Sequence, residues 1–553
     1  MNSLHKKILI IGGVAGGATA AARVRRLDEH AEITILEKGK YVSFANCGLP
    51  YFISRDIQKR SRLLLQTPEG FFSRYRVNVR VNTEAIEIKR DKKIVIAKTE
   101  TGMEEIPYDS LLLAQGGSPV IPNIPGNTSN HVFKLWTIPD MDRIHKFIEE
   151  QKPSKAVIVG GGFIGLEMAE ALHARGLSVT VVEAASQVMI TMDTEFSTMI
   201  KHALEGHGIR VITGNSLKEI HSTTATLQDG SSIETDMVLF SIGVRPELTL
   251  AKAAGLDIGA SGGLLVNDML RTNDPNIYAA GDMIEVVNKI HGHKVRIPLA
   301  GPANRQGRIA ATNMLGGAMH YRGALGSSVV KIFQYTGAST GLTEKAARDS
   351  GFDAGVSYMF KDHHVSYYPS SKQLALKIVY DKKTMRLLGG QAFGEAGVEK
   401  RIDVLATALQ GKMTLEDLSE IDLAYAPPFN GANDPVNLAA FVGLNDITQY
   451  SPSKTPAEVL IEIKNNGGIV LDVRTFGEQS KAPLETALHI PADEIRDRLE
   501  EVPKDKTIYL FSKDGFLGHT TLQVLKANGW NRFYNITGGY LAARWFQDWK
   551  LNI

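Results

Sequence analysis

One thiol stands among the 553 residues of the chain. It is Cys47, in the stretch Ser43-Phe44-Ala45-Asn46-Cys47-Gly48-Leu49-Pro50-Tyr51, and with no second cysteine it can form no disulfide within its own chain. A lone thiol in redox chemistry must alternate between the thiolate and a species shared with an outside partner: a mixed disulfide, a persulfide or a sulfenic acid. The thiolate is the nucleophile, so such a site has to lower the thiol's pKa. A solitary cysteine is more often an inert small hydrophobe; the residues around this one decide the matter.

Those residues spell nucleotide binding. Residues 7–11 read as a buried strand, followed by Gly12-Gly13-Val14-Ala15-Gly16-Gly17 and an alanine- and arginine-rich helix over 18–27. A strand over 32–36 then ends in Glu37, about 20 residues past the last glycine, the βαβ arrangement that binds an ADP moiety. Glycines let backbone N–H groups approach a pyrophosphate at the helix N-terminus, and the carboxylate takes the ribose hydroxyls. Val14 replaces the middle glycine of the G-x-G-x-x-G pattern, while Gly12 and Gly17 keep the outer places. The pattern returns complete as Gly160-Gly161-Gly162-Phe163-Ile164-Gly165, after a strand over 156–159. A helix reaching 173 and a strand over 178–182 ending in Glu183 follow it. Two such folds imply two nucleotides. A carboxylate at Glu183 would repel a 2′-phosphate, which favours NADH over NADPH.

The remaining composition bounds the class. This length predicts three or four domains with ample cores. A net charge of +2, with acids and bases evenly spread, gives no signal for nucleic acid. The single cysteine excludes a disulfide-stapled secreted scaffold and fits a reducing, cytoplasmic setting. Residues 1–7 only superficially resemble a charged leader, because the apolar run behind them is a strand's length and enters the glycine loop. No apolar run approaches the roughly 20 residues of a membrane span, and no metal site is expected.

Two further stretches resemble the two-dinucleotide-domain flavoprotein disulfide reductases: Leu111-Leu112-Leu113-Ala114-Gln115-Gly116-Gly117-Ser118-Pro119, and residues 272–282, which end in a strand, Gly281 and Asp282. The resemblance implies FAD on the first fold, with Gly116 among its contacts and Asp282 at the ribityl chain. It also implies a helix starting near Ala300 beside the flavin, its N-terminal dipole facing negative charge. From about 327 the pattern changes to strands over 329–335, 374–380 and 387–393 with an amphipathic helix over 400–410. That unit matches the dimerisation domain of the same superfamily. Residues 451–456 read as a linker. After it, Leu471-Asp472-Val473-Arg474, Tyr509-Leu510-Phe511-Ser512 and Ile536-Thr537-Gly538-Gly539-Tyr540 resemble a rhodanese domain. Where that family has C-x-x-G-x-R, this chain has Ser512-Lys513-Asp514-Gly515-Phe516-Leu517. An unactivated hydroxyl cannot hold transferable sulfur, so sulfurtransferase activity does not carry over.

Together with Ser43-Phe44-Ala45-Asn46-Cys47, these features make the whole chain resemble coenzyme A-disulfide reductases fused to a rhodanese domain. That single-cysteine branch includes NADH-dependent persulfide reductases. The expected fold class is α/β. It comprises a Rossmann-like FAD-binding domain in two parts (1–150 and 246–326) and a Rossmann-like NAD(P)H-binding domain (151–245). An α+β dimerisation domain (327–450) and a rhodanese-like α/β domain (457–553) complete it. The implied activity is reduction of a mixed disulfide or persulfide on Cys47 by NADH through FAD, with coenzyme A or another small thiol as partner, in a homodimer. A sulfenic acid cycle at Cys47, giving an NADH oxidase or peroxidase, is the alternative. The rhodanese-like domain acting only as a docking module is a third reading.

The resemblance also assigns residues. Tyr367 and Tyr425 match tyrosines of the partner subunit that serve the leaving thiolate; Tyr368, by strand alternation, is a bystander, and His363 and His364 are solvated or structural. Phe163 matches an aromatic that lies over the flavin until nicotinamide displaces it, and Glu167, one turn on, touches the nicotinamide. Thr19, Arg26, Ser43 and Asn46 match substrate positions, and Arg23 stands where the family often has glutamine. Two lysines that meet phosphates in the family are replaced by Tyr75 and Asn433, with Arg23 and Arg74 as substitutes for the lost charge.

Overall fold

The computed structural model describes residues 5–546 and Trp549. The ends of the first expected domain (1–4) and of the rhodanese-like stretch (547–548 and 550–553) lie outside the described residues. The first apolar run forms the strand Lys7–Ile11, which pairs in parallel with Glu32–Leu36 on one side and Ser110–Leu113 on the other. Ile277–Ala279 and Val77–Arg80 close the five-stranded sheet at its two edges. The central strands carry near-continuous Ile and Leu because helices and loops cover both faces of a parallel sheet. In such a sheet the ligand crevice opens at the carboxyl ends of the strands, where Gly12, Glu37 and Ala114 sit.

A second parallel sheet has the order Arg210–Thr213, Ser178–Glu183, Lys155–Val159, Met237–Phe240, Val132–Lys134. Its edge strand comes from before residue 150, since Val132–Lys134 pairs in register with Val238 to Phe240. Too short to show a period, that strand carries no signal in sequence. Two three-stranded antiparallel sheets, Glu84–Lys89 with Ile94–Thr99 and Gly102–Pro107, and Leu217–Ile220 with Thr224–Leu227 and Ser232–Glu234, flank the two folds.

The chain divides into two units: residues 1–186 with 208–326, and residues 187–207 with 327–553. The second unit holds a five-stranded antiparallel sheet with the order Ser328–Ile332, Tyr335–Gly341, Leu387–Gly394, Gln373–Asp381, Ala354–Asp362. The strand expected over 329–335 is therefore two strands, broken where Phe333 turns into the left-handed region at φ 54°. Ala354–Asp362 and the helix Pro435–Ile447 were not legible as elements, because both are nearly apolar throughout and lack a clear period. The helices Val398–Gly411 and Pro435–Ile447 pack on this sheet.

Helix Thr194–Gly206, inside the segment 187–207, also packs on it. Its tie is a buried ion cluster. Lys377, 1% exposed, has its Nζ 2.8 Å from Asp193, 2.7 Å from Glu195 and 2.9 Å from Glu344. The Tyr358 hydroxyl donates to Glu195 at 2.6 Å. Burial alone would pull the Lys377 ammonium down, but Glu195, Tyr358, Asp193 and Glu344 outweigh it and hold it well above the usual lysine range.

The last sheet is parallel, in the order Ser453–Lys454, Phe533–Ile536, Ile508–Phe511, Ile469–Asp472, Leu488–His489. The expected linker over 451–456 thus belongs to this fold: Ser453 and Lys454 pair with Asn535 and Ile536. Its serine and proline content signals an edge strand and a capped helix start, with Thr455 accepting from Glu458 N. Among the described residues no helix is long and apolar enough to cross a membrane.

Candidate active site

The helix Ala15–Leu27 begins at Val14 with no side chain capping its free N–H groups and no acid in its first turn. The same is true of Phe163–Ala174, which begins at Gly162, and of Ala300–Met314, which begins at Leu299. Several other helices are capped by side chains, with Thr67, Thr137, Asp434 and Thr455 each accepting a backbone N–H. Uncapped N–H groups with the positive end of a helix dipole form an anion cradle.

The cradle also needs bare backbone. Gly12 has φ 98°, and a Cβ there would lie 2.3 Å from the Ala114 carbonyl oxygen; one on Gly17 would lie 1.9 Å from the Gly12 oxygen. Beside this loop, Glu37 accepts from Gly13 N at 2.9 Å and Gly39 N at 2.8 Å. Its burial pushes the carboxyl up despite those bonds. In the second fold Glu183 likewise accepts two backbone bonds, from Gly161 N at 2.7 Å and Ala185 N at 2.8 Å. Both expected acids therefore sit on their loops. Asp282 is held up by burial alone, and the Gln115 side-chain oxygen is buried without a partner. Free donors, bare loops, a carboxylate anchored beside each loop and an unsatisfied polar side chain suit two dinucleotides. Gly116 stands at the turn after Ser110–Leu113 with φ 66°.

The thiol is fastened to the first of these loops. Ser43 N donates to the Gly13 oxygen at 2.8 Å, and Leu65 N to the Ser43 oxygen at 3.0 Å. Ser43 takes φ 46°, a left-handed conformation that a serine adopts at an expense of about 1–3 kcal/mol. Next comes the short helical turn Asn46–Gly48, where Asn46 Oδ1 accepts from Cys47 N at 3.1 Å and lies 3.8 Å from Cys47 Sγ. Cys47 is exposed, yet neighbouring atoms strip water from one side of the thiol. That desolvation, and behind it the carboxylates of Glu167 and Asp282, pushes the thiol up; only its own backbone N–H opposes them. The protein's own groups thus run against the thiolate that sequence reasoning required. The reason is first the loss of water around the thiol and only then the charges of Glu167 and Asp282.

The structure also shows a contact that motif reading missed. Tyr51 donates to Glu167 at 3.2 Å, joining the helix behind Cys47 to the helix of the second fold. Burial, then Glu167, holds the Tyr51 phenol above its ordinary range. Tyr51 was in the Cys47 stretch, but nothing in sequence spacing ties it to residue 167. Gln306 is another: buried, it accepts from Gly281 N at 2.7 Å and fixes the backbone before Asp282.

Of the substrate positions, Thr19 donates to Asn304 at 2.8 Å and Arg23 to Thr312 at 3.4 Å, both across the packed helices Ala15–Leu27 and Ala300–Met314. Desolvation and the neighbouring charges of Arg308 and Arg26 lower the Arg23 guanidinium. Arg26 is exposed, whereas Arg25 beside it is buried and donates to the carbonyls of Tyr75, Ala31 and Arg76. Tyr75 itself packs on the core.

Tyr367 and Tyr425, 58 residues apart in sequence, have hydroxyls 3.3 Å apart in the second unit. That hydrogen bond is the main reason the Tyr367 phenol is held above its ordinary range. Both rings are exposed. Tyr368 lies in a turn, not a strand, because the chain reverses between Ala354–Asp362 and Gln373–Asp381; alternation does not apply there. Its ring rests edge-on against His364 at 5.5 Å. His364 is buried at 4% exposure, so of the two expected roles it takes the structural one. In the last fold, the Ser512 side chain is fully buried and accepts from Gly515 N at 3.0 Å. Among the described residues no cluster of His, Cys, Asp or Glu could hold a metal.

Comparison with known proteins agrees with this layout. Residues 6–307 match the pyridine nucleotide-disulphide oxidoreductase family, 327–434 its dimerisation domain and 455–544 the rhodanese-like domain. A coenzyme A disulfide reductase of Staphylococcus haemolyticus is 34% identical over 79% of this chain and 99% of its own. The structure of reduced Bacillus anthracis CoADR-RHD superposes with a TM-score of 0.95 at 40% identity, covering 97% of both chains. A NAD-dependent persulfide reductase from A. fulgidus superposes with a TM-score of 0.91 at 34% identity, covering 97% of this chain and 99% of its own.

Proposed function

From the premise that this chain belongs to the pyridine nucleotide-disulphide oxidoreductases, which use FAD and NAD(P)H, we propose that it reduces coenzyme A disulfide or a coenzyme A-type persulfide. The observation that carries this reading is the exposed single thiol on a loop hydrogen-bonded directly to the first nucleotide loop. FAD, when bound, supplies the two-electron link between NAD(P)H and sulfur. Glu37 and Asp282 would hold it, and the free N–H groups at Ala15 and Ala300 would meet its charge.

The sulfur chemistry falls to Cys47. Its thiolate attacks one sulfur of the substrate; the Cys47–sulfur bond forms, the substrate S–S bond breaks, and the other half leaves as a thiolate or as sulfide. Two electrons and a proton then cleave the mixed species and return the Cys47 thiolate. Tyr367 and Tyr425, from the partner subunit of a homodimer, protonate the leaving sulfur. Thr19, Arg23, Arg26, Ser43 and Asn46 hold the substrate. Phe163, Ile164 and Glu167 shape the nicotinamide pocket, and Glu183 selects NADH; equal kcat/KM with NADPH would remove that assignment.

Mass spectrometry of the purified, non-reduced protein tests the whole reading. Coenzyme A or extra sulfur on Cys47 is the expected adduct. Oxygen alone on Cys47, with oxygen consumption but no sulfide release in parallel assays, would instead identify an oxidase.

A further inference from the structure

Tyr367 and Tyr425 come from separate loops, 363–372 and 421–434, and neither lies in a helix or strand. Exposed rings on two loops do not hold a 3.3 Å hydroxyl contact by packing alone. Beneath them both loops converge on one side chain. Arg401, in the helix Val398–Gly411, is 1% exposed. Its Nη2 donates to the His363 carbonyl at 2.8 Å, at the base of the first loop, and to Asn430 Oδ1 at 2.9 Å, in the second. The same nitrogen lies 2.9 Å from Asp434 Oδ2, and Nη1 donates to the Gly397 carbonyl at 3.2 Å.

Each contact passes onward to a tyrosine. His363 N donates to the Lys372 carbonyl at 2.9 Å and Lys372 N to His363 Nδ1 at 3.0 Å, closing the loop that carries Tyr367. Asn430 is 1% exposed, and its Nδ2 reaches the Ala424 carbonyl, next to Tyr425, at 3.5 Å. Asp434 caps the following helix through Val436 N at 2.9 Å. Space is made for the guanidinium: Gly397 has φ 71°, and a Cβ there would lie 2.3 Å from Arg401 Nη1. A planar fork can serve several acceptors in fixed directions; a lysine ammonium presents a point charge and cannot.

We infer that Arg401 is the positioning residue of the tyrosine pair, setting the spacing of the two loops through the His363 carbonyl and Asn430. The inference rests on the reading of Tyr367 and Tyr425 as the proton donors to leaving sulfur. A buried Arg401–Asp434 pair is also structural, and removing one partner destabilises a fold whatever its function. The test therefore includes Asn430→Ala, which cuts one link and leaves that pair in place.

Full-length, FAD-loaded wild type, Arg401→Lys, Asn430→Ala, Tyr425→Phe and the double variant Asn430→Ala/Tyr425→Phe are compared. Turnover is followed with coenzyme A disulfide and, in parallel, with inorganic polysulfide, using the faster of the two. Stopped-flow absorbance gives the rate of flavin reduction by NADH. A misplaced donor loses about 10- to 100-fold in rate. Arg401→Lys and Asn430→Ala are expected to lose kcat on that scale with flavin reduction unchanged. In the double variant, Asn430→Ala is expected to add less than about twofold to the Tyr425→Phe loss, because groups that act as a unit are not additive. A multiplicative loss in the double variant, or wild-type kcat in Asn430→Ala, would overturn the role of Arg401 alone. Wild-type kcat in Tyr425→Phe would overturn the tyrosine reading and this inference with it.

Discussion

Two loops in this chain present a small side chain just before a helix, and they treat it in opposite ways. Around Cys47 the loop borrows its hydrogen bonds from the backbone of Gly13 and Leu65 and leaves the thiol itself with only a 3.8 Å approach to Asn46. Around Ser512 the loop turns its side chain inward: the hydroxyl is fully buried and accepts from Gly515 N. Below it, Arg474 and Asp472 form a buried pair at 2.6 Å, and the guanidinium lies over Phe511 at 4.8 Å. The first loop keeps a reactive atom unsatisfied and open; the second has made its polar atom part of the fold. A loop's chemistry is set by whether its own backbone consumes the side chain.

The contrast can be broken most sharply at Cys47. Cys47→Ser is expected to reduce sulfur turnover by about 1,000-fold or more, since a hydroxyl is no nucleophile at neutral pH, while NADH still bleaches the flavin. Persistent sulfide or thiol release in that variant would end the assignment. Next comes Tyr425→Phe, expected to lose about 100-fold and to shift the alkaline limb of the pH–kcat profile. The sign follows from the hydrogen bond: Tyr425 raises Tyr367, and a donor works only below its pKa. Without Tyr425 the Tyr367 phenol ionises sooner and the limb moves to lower pH; a limb that stays put would show that Tyr367 is not the donor.

The second loop should yield less. Ser512→Cys is expected to leave thiosulfate sulfurtransferase activity at background, because the side chain is sealed and Leu517 stands where an arginine would steady the anion; measurable thiocyanate formation would show that the loop retains its cradle. Ser512→Ala should leave reductase kcat unchanged and lower stability by about 1 kcal/mol, the worth of one buried hydrogen bond, read as a small fall in Tm. A loss of reductase activity in Ser512→Ala would mean that the two loops are not independent.

Much of the nucleotide machinery was legible because its signals are local. Glycine spacing, a preceding strand and a following acid occupy about 30 residues, and Gly12, Glu37, Gly160 and Glu183 fall where that grammar puts them. What escaped depends on residues far apart in sequence. The Tyr51–Glu167 bond spans 116 positions, and Arg401 joins loops 38 and 29 positions away. The strand alternation invoked for Tyr368 does not apply, because the turn at 363–372 interrupts the strand pattern on either side of it. The Cys47 thiol escaped differently: its pKa direction depends first on desolvation by the folded surroundings, then on acids 120 and 235 positions away, Glu167 and Asp282.

The buried Lys377 cluster has a consequence for synthesis. Asp193 and Glu195 leave the ribosome in the middle of the second nucleotide fold, yet their counter-ion comes 182 residues after Glu195. At 5–20 residues per second that is a delay of roughly 10–40 s. Until Lys377 and the strand Leu387–Gly394 arrive, helix Thr194–Gly206 lacks its cation and part of the sheet it packs on. The nascent chain therefore carries this segment of the second unit unpaired while the residues between are made.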